Sequence, residues 1–73
     1  MINLIKEKRK LLGYTQEKMA EILKISLRQY VRIDTEEDLP RRDILKELIS
    51  ILNLSNEEIG IYIRTMVNKK DIH

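Results

Sequence analysis

The side chains of this chain best suited to chemistry lie close together: Leu27, Arg28, Gln29 and Arg32, just after Ser26. Their chemistry is recognition rather than bond making. An arginine fork or a glutamine amide can make paired hydrogen bonds to guanine or adenine edges, and leucine or valine can touch a thymine methyl. Such contacts need a rigid element to present them. Residues 15–34, TQEKMAEILKISLRQYVRID, read as two short helices joined by a tight turn. Two short helices packed at a steep angle form the unit that places its second helix in the DNA major groove.

The apolar spacing fits that unit. Met19, Ala20, Ile22 and Leu23 recur three and four apart and share one helix face. Ala20 is small enough to let the helices approach closely. Thr15 can cap the first helix and Ser26 the second, because each hydroxyl can accept an orphan backbone N–H. Gly13, just before, suits the end of an earlier helix, since glycine takes φ > 0 at little steric cost. On the second helix Tyr30 and Ile33 can face inward. Leu27, Arg28, Gln29, Val31 and Arg32 are left for the sides and the outer face. The bland reading of the same pattern is an αα-hairpin with charged solvent faces.

The rest of the chain reads as helix almost throughout. A first helix spans residues 2–12, with Ile2, Ile5 and Leu12 inward, joined by Leu4 and Leu11. Pro40 ends the acidic run and pre-sets the next helix start. Residues 41–53 carry Ile44, Leu45, Leu48, Ile51 and Leu52 at the helical period, a core stripe. Asn53 can end that helix in a left-handed turn. Ser55 with Glu58 makes a capping box for a fifth helix over residues 56–68. There Ile59, Tyr62, Ile63, Met66 and Val67 form a stripe, and Ile61 lies off it. Apolar on more than one side, residues 54–68 are a candidate dimerisation helix, with Ile59, Ile61, Tyr62, Ile63 and Met66 as the interface. A two-fold pair would read a palindromic site with half-sites about 34 Å apart.

Composition narrows the function classes. Seventy-three residues make one small domain. A core of that size is thin, and oligomerisation is a common remedy. There is no cysteine, so no disulfide framework and no thiolate metal site. The start, MINLIKEKRK, turns charged too soon for a signal peptide. No apolar run approaches the roughly 20 residues that cross a bilayer, which points to a cytoplasmic protein. Fourteen Lys and Arg against twelve Asp and Glu leave +2, a mildly basic balance that permits DNA binding without demanding it. Catalysis lacks its parts, so no enzyme and no cofactor is expected. The single histidine is His73, at the last position, and there is no glycine-rich phosphate loop. Glu17 and Glu21 suit a solvated helix face, and Glu57 and Glu58 suit a helix N-terminus. Tyr14, Tyr30 and Tyr62 are too widely spaced for a single-strand stacking platform. Tyr14 suits packing over the second helix, and Tyr30 can seat the recognition helix with its hydroxyl near the backbone.

The run IKEKRKLLGYTQEKMAEILKISLRQYVRIDTEEDLP, residues 5–40, resembles the phage-repressor and Cro-type helix-turn-helix family. The resemblance rests on the Ile5–Arg9 spacing, Gly13 to Gln16, Met19-Ala20, Ile25-Ser26, Arg32-Ile33-Asp34 and Pro40. ILKELISILNLS, residues 44–55, resembles the family's fourth helix, so the likeness covers about residues 4–55. It implies an all-α, five-helix lambda-repressor-like bundle with the helix-turn-helix at helices 2 and 3. It also implies a small transcriptional regulator, most simply a repressor that binds double-stranded DNA as a homodimer. Gln16 matches a residue contacting the DNA backbone or an outer base. Ser26, Leu27, Arg28 and Arg32 match base-reading positions, and Thr35 matches a backbone contact. Thr15, Arg41 and Arg42 would help hold the phosphates, and Gln29 would face the groove. Arg9 and Asp34 match a pair that forms an internal salt bridge in relatives.

Three features depart from the family pattern. Lys24 stands where glycine is usual in the turn. Leu27 stands where many relatives have a polar reader. Glu36, Glu37 and Asp38 stand where Asn-Gly-Lys or similar is common. Like charge near phosphates opposes binding, with Arg41, Arg42, Lys6, Lys10, Lys24 and Arg28 as compensation. Leu27 and the acidic loop together suggest the alternative, a non-catalytic protein-interaction module on the same fold.

Overall fold

Four of the helices begin at a side chain that accepts an orphan amide. Asn3 accepts from the Lys6 N–H, Thr15 from Lys18, Ser26 from Gln29 and Ser55 from Glu58. In the computed structural model, which describes residues 3–71, the helices are α1 (Leu4–Leu11), α2 (Gln16–Leu23), α3 (Leu27–Asp34), α4 (Arg42–Ile51) and α5 (Asn56–Asp71). No strand occurs among the described residues, and the fold is the all-α, five-helix bundle that the family resemblance implies. Helix α1 is shorter at both ends than residues 2–12, α4 is shorter than 41–53, and α5 runs past residue 68.

Helix ends are set by left-handed residues. Gly13, at φ +80°, turns the chain after α1. Lys24 takes φ 58° and ψ 43° after α2, and the Ile25 N–H reaches back to the Ala20 carbonyl. The turn therefore keeps the shape glycine usually provides, with strain on the order of 1 kcal/mol absorbed by a lysine. Asn53, at φ 53°, ends α4 as its type suggests. Glu36 is also left-handed, at φ 59°, and reverses the chain after α3.

The core gathers Ile5, Met19, Ala20, Leu23, Tyr30, Ile33, Leu48, Leu52, Leu54, Tyr62 and Met66 from all five helices and the segment before α5. Leu4, Tyr14, Ile44, Leu45 and Ile51 pack against it, partly buried. Leu11 and Leu12 do not join it. Leu11 ends α1 and is 80 % exposed, because the chain turns away at Gly13 before either leucine meets a neighbour. The inward placement expected for Ile2, like the terminal His73, lies outside the described residues.

Tyr62 and Met66 correct the expected dimer interface. Each is at most 2 % exposed and packed into this chain's own core, so neither can meet a second copy. Ile59 and Ile63 are partly buried against the same core. At 100° per residue, Ile63 and Val67 continue from the buried face onto one flank, with Gly60 beside them. Ile61 is exposed on the opposite flank, near Arg64 and Thr65. Helix α5 is clasped to the rest at two points: Lys8 Nζ lies 2.9 Å from Glu58 Oε2, and Lys69 Nζ lies 3.1 Å from Glu36 Oε1.

Candidate nucleic-acid interface

Asp34, the last residue of α3, fixes how the second helix of the hairpin sits. Its carboxylate is wholly buried and fully engaged. Arg9 Nε donates to Oδ1 at 2.9 Å and Nη2 to Oδ2 at 3.2 Å, a two-point contact across 25 residues of chain. The Tyr30 hydroxyl donates to Oδ1 at 2.9 Å, and Gln16 Nε2 donates to Oδ2 at 3.1 Å. Arg9 Nη1 donates to the Tyr14 carbonyl at 2.9 Å, and the Asn3 amide donates to the Asp34 carbonyl. One carboxylate thus ties α1, the start of α2 and both ends of the α3 inner face together. The Arg9–Asp34 pair implied by the family resemblance is present.

Titration directions follow from this network. Burial by itself would raise the Asp34 carboxyl, but the hydrogen bonds from Arg9, Gln16 and Tyr30 and the Arg9 charge hold it below its ordinary value. Burial, then the bond to Asp34, pushes the Tyr30 hydroxyl well above its ordinary value. Hydrogen bonding to Asp34 raises Arg9 further. The hydroxyl of Tyr30 meets a side chain, where the sequence suggested backbone.

The outer face of α3 is the reverse of this. Leu27, Arg28, Arg32 and the α3 cap Thr35 are exposed, and Val31 is half-buried between them. Leu27 is 44 % exposed although it is apolar. Successive positions 27, 28, 31, 32 and 35 share one side of a helix. Arg28 stands free of ion pairs among the described residues, while Arg32 Nε lies 2.8 Å from Asp38 Oδ2.

Several expected contact residues are otherwise engaged. Gln29 lies on the flank of α3, not in the groove row. Its Oε1 accepts from the Ser26 N–H at 3.1 Å, while Ser26 Oγ accepts from the Gln29 N–H at 3.1 Å. With its acceptor committed to this capping box, Gln29 is not free to pair with adenine, which needs both amide ends. The spacing Ser26 to Gln29 is itself a capping-box signature, so that role was readable from sequence. Gln16 commits one N–H to Asp34 and keeps one. The Thr15 hydroxyl accepts a cap bond and retains its proton. Thr35 Oγ1 is placed to donate to the Val31 carbonyl at 2.9 Å or to Glu37 Oε2 at 2.8 Å, so its proton is held internally. Arg41 and Arg42 are exposed at the start of α4, which has no side-chain cap.

The acidic loop is not a uniform negative surface. Glu36 is buried and paired with Lys69, turned away from the outer face of α3. Asp38 is paired with Arg32, and Glu37 is the loop carboxylate without a cationic partner among the described residues. Of the three carboxylates expected to oppose phosphate, the left-handed Glu36 is the one buried rather than presented to solvent. A cleft of about 450 Å³ lies between the α3 flank and the start of α4, with Ile25, Ile33, Leu39 and Ile44 as apolar walls and Arg32, Asp38 and Arg41 at its rim.

A helix-turn-helix family model matches residues 5–59, which takes in all but the first residue of α1, the whole of α2 to α4, and the four side chains Arg9, Gln16, Tyr30 and Asp34 that meet at the buried carboxylate. The chain belongs to the helix-turn-helix family. No curated protein and no solved structure matches it. The likeness to phage-repressor and Cro-type proteins therefore stands, and helix-turn-helix membership makes DNA binding in transcription regulation the function class of the chain. In this helix-turn-helix protein the matched hairpin is α2 and α3. Among the described residues no helix is long and apolar enough to cross a membrane.

Proposed function

We propose that the protein is a small transcriptional repressor that inserts α3 into the major groove of a palindromic operator, in the bacterial, phage or plasmid manner and in the cytoplasm. It acts by occupancy and performs no catalysis. The observation that carries this reading is the row Leu27, Arg28 and Arg32, exposed on a helix whose opposite face is locked by Asp34. Arg28 and Arg32 read guanine edges and Leu27 touches a thymine methyl. Ser26 starts the helix at the groove, while Thr15, Gln16, Arg41 and Arg42 steady the phosphates.

Operator binding uses a homodimer, and two copies meet along the α5 flank of Ile59, Gly60, Ile63 and Val67. Outside its own chain neighbours and local helix backbone, no described atom lies within 4 Å of a Cβ built on Gly60, which leaves that flank open to a partner helix. Monomeric mass at high micromolar concentration would remove the dimer from the proposal.

Selection of bound duplexes from a random pool, followed by salt titration of the winners, tests the whole reading. An enriched palindrome with steep salt dependence is the expected result. A second reading is favoured by one observation, the half-exposed Leu27 on the recognition helix. It makes the same fold a protein-interaction module. No enrichment, with only weak salt-sensitive binding, would select that reading.

A further inference from the structure

The three carboxylates after α3 have three different neighbours, and Asp38 is the one that meets the groove face. Its Oδ2 lies 2.8 Å from Arg32 Nε, with both side chains about half exposed. The contact is built by the loop backbone. The left-handed Glu36 folds the chain back, and the amides of Glu37 and Asp38 both donate to the Arg32 carbonyl, at 2.9 and 3.3 Å. The Asp38 main chain is thus bonded to the same residue that its side chain faces.

An exposed ion pair of this kind adds little stability, so its consequence is orientation. Its nearest approach is to Nε, and the Arg32 guanidinium donates no hydrogen bond among the described residues, so the outer Nη pair stays open. That pair is what a guanine edge accepts from. Arg32 and Asp38 both line the 450 Å³ cleft, so the long Arg32 side chain has room to fold further into it and away from the outer face of α3 unless it is held. Asp38 also cancels one positive charge at the interface, which weakens sequence-independent attraction to phosphate.

We infer that Asp38 is a specificity-determining positioning residue, holding Arg32 at the groove face so that its fork meets a base edge rather than a phosphate. The inference rests on the DNA-reading role proposed above and goes beyond it. An acidic side chain in a DNA-binding loop here sharpens sequence choice while lowering affinity for random DNA.

The test is duplex selection and salt titration with the full chain as wild type, Asp38→Asn, Arg32→Ala and the double variant. Asp38→Asn should lose about two- to fivefold of base discrimination at the position that Arg32→Ala also relaxes, leaving the other positions intact. Its random-duplex binding should be equal or tighter, with a salt slope steeper by about one. In the Arg32→Ala background the Asp38 change should have no effect on base preference. Asp38→Ala should repeat the Asp38→Asn pattern, so the result does not hang on one variant folding. An Asp38→Asn protein that keeps full preference at the Arg32 position, while the wild type enriches an operator, overturns the role of Asp38 alone. A wild type that enriches no sequence overturns the DNA-reading proposal and this inference together.

Discussion

The two faces of α3 are separated by less than a turn of helix and obey opposite rules. On the inner face Tyr30 and Asp34 are buried, and their side-chain polar atoms are satisfied by each other and by Arg9 of α1 and Gln16 of α2. On the outer face Leu27 and Arg28 are exposed with no partner among the described residues, and Arg32 has only the exposed Asp38. The outer face proposed to read bases must stay unsatisfied until DNA arrives, and it can do so only if something else fixes the helix. The Asp34 network supplies that rigidity. Substitutions on the inner face should therefore register as stability, and those on the outer face as binding.

The largest expected effect breaks the inner face. Arg9→Ala leaves the Asp34 carboxylate buried with its main partner gone, and should cost about 3–5 kcal/mol of folding free energy. Chemical denaturation checks this, and a loss below 1 kcal/mol would show that the pair does not anchor α3.

Titration probes the same face without substitution. The folded-state pKa of Asp34 is depressed, so its contribution is complete above its unfolded value, about pH 4, and drains away as pH falls through the folded value. Tyr30 is raised, so its contribution is complete below about pH 10 and is lost as pH rises beyond that. Thermal melts across pH should show a plateau bounded on both sides, and the acid edge should be shallower in Asp34→Asn, with Glu58 supplying what remains.

A smaller effect sharpens the contrast from the other face. Arg28→Ala should cost about 1–3 kcal/mol of specific binding and relax one base position, with the melting temperature unchanged. Equal losses on specific and random DNA would make Arg28 a phosphate contact.

The smallest effect lies between the faces, in the turn. Lys24→Gly relieves a left-handed lysine, partly offset by the greater freedom of glycine in the unfolded chain, for a gain of about 0.5–1 kcal/mol. Operator binding should not change, because the turn already holds its shape. An altered base preference would show that Lys24 itself touches DNA.

Local chemistry made much of the fold legible. Thr15 and Ser26, the Ser55–Glu58 box and the left-handed Asn53 all act within four residues of themselves, so their types state their roles. The outer positions Leu27, Arg28 and Arg32 followed from helical period in the same way. The ion pair of Arg9 and Asp34 was reached through family resemblance, since 25 residues separate them. Helical period alone places Gln29 at the groove, although its spacing to Ser26 fits a cap. The α5 stripe offers Tyr62 and Met66 to a partner as readily as to the core, because a stripe on a helix does not say whose core it enters.

What the sequence by itself determined is therefore the set of helices, their ends and the residues with recognition chemistry, because these depend on neighbours along the chain. Only the tertiary structure decided which of those residues are free to use that chemistry. Gln16 turns to Asp34, Glu36 to Lys69, Asp38 to Arg32, and Tyr62 into the core. Burial and long-range pairing set each outcome, and a charge or amide has no preferred partner until the fold brings one within reach.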